Sequence, residues 1–109
     1  MNEPILLSGF TNSDLTDLNY HLDPEDYSNS SIELSIQNRD GLKRKLRFEM
    51  VSNLKIDQDF SGSLSGMVVV GVSGRQWGNV RVEVQNFEQD PGITFLAKTM
   101  EVLIDEFNT

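Results

Sequence analysis

Apolar and polar residues alternate with period two along much of this chain, which is the signature of half-buried strands. The clearest case is Ser31 to Gln37 (SIELSIQ), where Ile32, Leu34 and Ile36 share one face and Glu33, Ser35 and Gln37 the other. Asn38-Arg39-Asp40-Gly41 then supplies an Asp-Gly pair suited to the positive φ of a tight hairpin turn. Leu42 to Met50 (LKRKLRFEM) returns with Leu46, Phe48 and Met50 inward and Lys45, Arg47 and Glu49 outward. Glu33 is thereby placed to pair with a Lys or Arg of the return strand.

A second hairpin spans Gly66 to Phe87. Met67-Val68-Val69-Val70 is an apolar run short enough for a buried strand, and Val80, Val82 and Val84 share a face opposite Arg81 and Glu83. The turn-rich segment Ser73 to Asn79 joins them and carries Trp77, the only tryptophan.

The remaining segments are shorter or more ambiguous. Ile5-Leu6-Leu7 reads as a brief strand or a core cap, with Phe10 anchoring the loop that follows. In Asp14 to Leu22, Leu18, Tyr20 and Leu22 alternate with Asp17, Asn19 and His21, although Leu15, Leu18 and Leu22 also fit a helical spacing. Strand is preferred, because Thr, Asn and Asp are poor in helix interiors. Asp23 to Ser30 is a polar loop opened by Asp-Pro. Val51 to Asn53 predicts a bend or bulge, Leu54 to Ile56 a short strand, and Asp57 to Gly66 a loop. Past the turn Glu88 to Gly92, residues 93–107 fit a helical face as well as two alternating runs. The reading adopted is a strand from Ile93 to Ala97 continuing through a bulge to about Ile104, with a C-terminal helix as the alternative. The expected fold is all-β: an antiparallel sandwich or open barrel of about seven to eight short strands in one domain, residues 1–109.

Composition narrows the function classes. At 109 residues and 12.3 kDa, with 38% hydrophobic and 24% charged residues, the chain has the make-up of an ordinary soluble globular protein. No cysteine is present, which removes disulfides, thiolate metal sites and cysteine nucleophiles. The opening MNEPILLSGF lacks a basic leader, so cytoplasmic location is the expectation. A net charge of −8 speaks against nucleic acid or an anionic membrane as partner and in favour of a basic protein. That charge is uneven. Residues 1–30 hold six acids (Glu3, Asp14, Asp17, Asp23, Glu25, Asp26) and no Lys or Arg, whereas six bases fall between Arg39 and Lys55. The basic strand 43–47 reads first as a solvated face or a lysine-protected edge, and only second as a binding surface.

Catalytic signatures are missing. Asp57, Asp59 and Ser61 copy the start of a calcium loop, but Val68 stands where a bidentate Glu is needed, and helical flanks are absent. The centre of Gly62-Ser63-Leu64-Ser65-Gly66 is Leu64, so it is no nucleophile elbow. His21 is alone, which excludes a multi-histidine metal site. The expectation is a non-enzymatic protein without cofactor. Trp77, beside Arg75 and Gln76, belongs to the residue types enriched at interface hot spots, or else it plugs the core.

The acidic strand around Phe10 to Leu22, the segment Leu46-Arg47-Phe48-Glu49, the loop before the valine strand, and the tract from Gln76-Trp77-Gly78 through Val84 and Phe95 give the chain a likeness. It resembles the small acidic all-β bacterial immunity proteins that accompany polymorphic toxins. The resemblance implies a cytoplasmic inhibitor that binds and neutralises a basic toxin domain. Its interface would draw on Asp14, Asp17, Asp23, Glu25 and Asp26, with Arg75, Gln76 and Trp77 as further anchors. The competing readings are a ligand- or calcium-binding sandwich module and a homodimer that pairs through an edge strand in its last segment.

Overall fold

The computed structural model describes residues 5–26, 29–72, 81–86 and 92–107. Among these residues nine strands are present: β1 (Ile5–Leu7), β2 (Ser13–His21), β3 (Ser31–Asn38), β4 (Lys43–Glu49), β5 (Ser52–Ile56), β6 (Met67–Gly71), β7 (Val82–Asn86), β8 (Ile93–Ala97) and β9 (Thr99–Asp105). They form two antiparallel sheets, ordered β1-β6-β7-β8-β5 and β2-β3-β4-β9. Neither closes on itself, so the fold is an open sandwich rather than a barrel.

The hairpins follow the alternation. Ile32, Leu34 and Ile36 of β3 and Leu46 and Phe48 of β4 are buried, with Leu34 opposite Leu46 and Ile32 opposite Phe48. At the β3–β4 turn Gly41 takes φ +82°, and Asn38 Oδ1 accepts from the Asp40 and Leu42 amides. From the other sheet come Val69, Val82, Val84, Ile93, Phe95 and Ala97. Phe48 and Phe95 meet edge to face across the layers, ring centroids 4.8 Å apart at 86°. Such a pair adds about 0.5–1.5 kcal/mol beyond burial of its area. Strand β6 is buried on both faces, since Val68, Val70 and Val72 form a separate apolar cluster.

Three expectations are corrected. First, residues 93–107 are neither a helix nor one bulged strand: β8 and β9 belong to different sheets, and the chain turns a corner at Lys98. The partners across the fold drive this, because Lys98 N donates to Glu49 O at 2.9 Å and so docks the corner against the end of β4. Adjacent to it, Met50 (φ +55°) takes the chain from β4 to β5 and is half-buried outside the strand instead of continuing its inner face. The corner at Lys98 makes two strands where one was expected, so nine strands among the described residues stand beside the seven to eight expected. Second, β4 is not an edge strand; it lies between β3 and β9. Third, Tyr20 and Leu22 are exposed, while Leu15 and Leu18 are the β2 residues that pack on the core.

Candidate functional site

The acidic segment folds as β2, one border of the four-stranded sheet. Its register shifts between Leu15 and Asp17, a bulge at Thr16 whose hydroxyl donates to Ser35 O at 3.0 Å. The extra residue lets Leu15 (opposite Ile36) and Leu18 (opposite Leu34) both point inward. Asp14 (opposite Gln37) and Asp17 (opposite Ser35) consequently both point outward, followed by Asn19 and His21. Without the bulge one of the two acids would face the core. Near its start β2 is covered: Leu15 N donates to Gly62 O at 2.7 Å and Leu64 N to Ser13 O at 2.9 Å. Among the described residues, the edge beyond Thr16 is unpaired.

Past β2, Asp23 folds the next turn around itself. Its Oδ1 accepts from Glu25 N at 2.9 Å, and its Oδ2 accepts from Asn29 Nδ2 at 3.2 Å. The Glu25 amide first, and then the Asn29 side chain, hold the Asp23 carboxyl below its ordinary value. Asp23 is thus engaged within its turn, whereas Glu25 and Asp26 are exposed. Asp14 and Asp17 are exposed as well, and Asn19 Nδ2 donates to Asp17 Oδ2 at 2.9 Å. The structure therefore gathers Asp14 and Asp17 on one outward face and places the Asp23–Asp26 turn at the end of the same strand. Arg75, Gln76 and Trp77 lie outside the described residues.

Strand order brings in a neighbour that sequence reasoning missed. Across β3 from the acids run Lys43, Lys45 and Arg47, the outward residues of β4. A cleft of about 400 Å³ on this face is lined by Thr16, Asp17, Ser35, Gln37, Lys43 and Lys45. The face is therefore dipolar across its width, acid on β2 and base on β4. Two of the bases have loose ion pairs, Lys45 with Glu33 at 4.0 Å and Arg47 with Glu49 at 3.5 Å. At that exposure each contributes about 0–1 kcal/mol.

The fourth base of the stripe is a different object. Arg44 points inward and its side chain is 2% exposed, so the expectation of a solvated basic face fails at this residue. Its Nε donates to Asp105 Oδ1 at 3.1 Å and its Nη1 to Ser8 O at 2.8 Å. The guanidinium also lies 4.2 Å from the Phe107 ring centre and 5.1 Å from that of Phe10. The signal was present in the alternation: Leu46 and Phe48 inward require position 44 inward too.

The calcium-like loop is used for packing. Asp57 Oδ2 accepts from Gly92 N at 2.8 Å, and the Asp57 amide donates back to Gly92 O at 3.0 Å. Leu64, at 2% exposure, closes the core below it. Among the described residues no group of three or more His, Asp or Glu side chains is placed to hold a metal ion. No described helix is long and apolar enough to cross a membrane.

No family model matches the chain, and neither a curated protein nor a solved structure matches it.

Proposed function

We propose that the chain is a non-enzymatic protein-binding domain of the immunity type, which acts in the cytoplasm and neutralises a basic toxin domain by docking on the β2 border. One observation carries this reading. Asp14, Asp17, Asp23 and Glu25 follow one another along β2 and its turn, the edge being free beyond Thr16, and none has an ion pair among the described residues. Carboxylates aligned beside unpaired backbone offer a partner both long-range attraction and strand-like hydrogen bonds. Lys43 and Lys45 across the face would reject a uniformly basic surface and so fix the orientation of docking.

The test is capture of partners from native lysate, followed by elution in rising salt. The expected result is one basic protein, released as ionic strength increases. Reversing Asp17 and Glu25 to Lys should then slow its association by about tenfold or more at low salt. Binding that ignores both salt and the reversals would remove this surface from consideration.

A second reading, self-pairing through β9, has its own support. Val102, Leu103 and Ile104 are 41%, 40% and 44% exposed on the other border of the same sheet.

A further inference from the structure

Arginine carries five N–H donors and cannot shed its charge. Two of those on Arg44 are used, by Asp105 and by Ser8 O, and the guanidinium lies over the rings of Phe107 and Phe10. Nη2 donates to no described residue although the side chain is 2% exposed. Buried donors of this kind are uncommon and call for an acceptor.

The acceptor's place is a cleft of about 450 Å³, inside the usual size range of small-ligand sites of about 300–1,000 Å³. Arg44 and Asn38 form its polar wall. Asn38 Oδ1 is fixed by the Asp40 and Leu42 amides, which sets the orientation of its amide group, and its Nδ2 donates to no described residue. Two side chains with held but unused donors thus line one space. The same cleft is lined by Ile5 and Leu6, at 64% and 45% exposure, and by Phe107.

We propose that this cleft binds a small monocarboxylate with an apolar body. The carboxylate oxygens take the N–H groups of Arg44 Nη2 and Asn38 Nδ2, and the chain of the acid lies on Ile5, Leu6 and Phe107. A carboxylate fits better than a carbonyl because two oxygens answer donors from two residues, and charge-assisted bonds are the stronger kind. The charge of Asp105 is already balanced by Arg44, so the incoming anion meets a neutral pair and not a bare acid.

The experiment is a titration of the full ¹⁵N-labelled chain with sodium hexanoate, in parallel with hexanamide and with sodium chloride. Saturable shifts are expected at the Leu6 to Gly9 amides, the Asn38 side-chain amide and Arg44 Nε–H. Hexanamide should bind about tenfold more weakly or worse, and Arg44→Lys, which keeps the charge but loses the fork, should weaken hexanoate similarly. If Arg44→Lys does not fold, Asn38→Asp replaces a donor with a repelling acceptor while keeping the oxygen that holds the turn, and should abolish the shifts. Absence of saturable shifts at these positions, or equal binding of the amide, would overturn the proposal and leave solvent as the partner of Nη2.

Discussion

The hydroxyl of Ser30 donates to Val51 O and accepts from Val51 N, both at 3.0 Å, while Ser30 O accepts from Met50 N at 2.7 Å. At 2% exposure one small side chain satisfies both polar backbone groups of a residue just past the corner at Met50. Ser30→Ala would leave that donor and that acceptor buried and unanswered. We expect it to cost about 1–3 kcal/mol in urea unfolding with an unchanged m-value; a loss under about 0.5 kcal/mol would mean that water reaches the corner. Neither Ser30 nor Arg44 was legible as buried from its residue type. Serine at the end of a polar loop looks like more loop, and arginine in a basic run looks like surface. In both cases the residue type pointed outward while its position in the pattern pointed inward.

Elements that obeyed local rules were read well. The β3–β4 hairpin carried its alternation and its Asp-Gly turn in eleven consecutive positions from Ser31 to Gly41, and the bend after Val51 appears as a register shift between Ser52 and Lys55. Where pairing overrode pattern, the sequence was ambiguous. The bulge at Thr16 spaces Leu15 and Leu18 by three, which imitates a helix, and the corner at Lys98 has no Gly or Pro to announce it. A register shift in β9 opposite Lys45 and Leu46 turns Ile104 to the outer face, leaving Val102 to Ile104 as an apolar run on an open edge. Two copies paired antiparallel about Val102 would set Glu101 opposite Leu103 and Asp105 opposite Thr99, so no like charges meet. If β9 pairs this way, sedimentation will give the mass of two chains, and Leu103→Lys will give one chain with unaltered far-UV circular dichroism. A wild-type mass of one chain at high concentration sinks the idea.

For the molecule as a whole, charge opposes compactness. With −8 net and three ion pairs among the described residues, repulsion between carboxylates is spread over the surface. Raising sodium chloride from low ionic strength to 0.1 M shortens the screening length to about 10 Å and should raise Tm. A Tm that falls instead would show that attraction across the β2–β4 face outweighs the repulsion. The acidic excess was plain from composition. Its placement was not, because it depends on β3 separating Asp17 from Lys45, a strand order that period-two patterns do not encode.

The corner at Lys98 also orders events in time. Among the described residues β5 has a single partner, β8, and the second border of β4 has a single partner, β9. During synthesis, therefore, neither layer can be completed when Asn86 has been joined to the chain: β5 waits for one side of the corner and β4 for the other. The nascent protein must carry two open edges, Leu54 and Phe48 among them, until residues beyond Ala97 leave the ribosome. Both layers then close on the arrival of one short stretch.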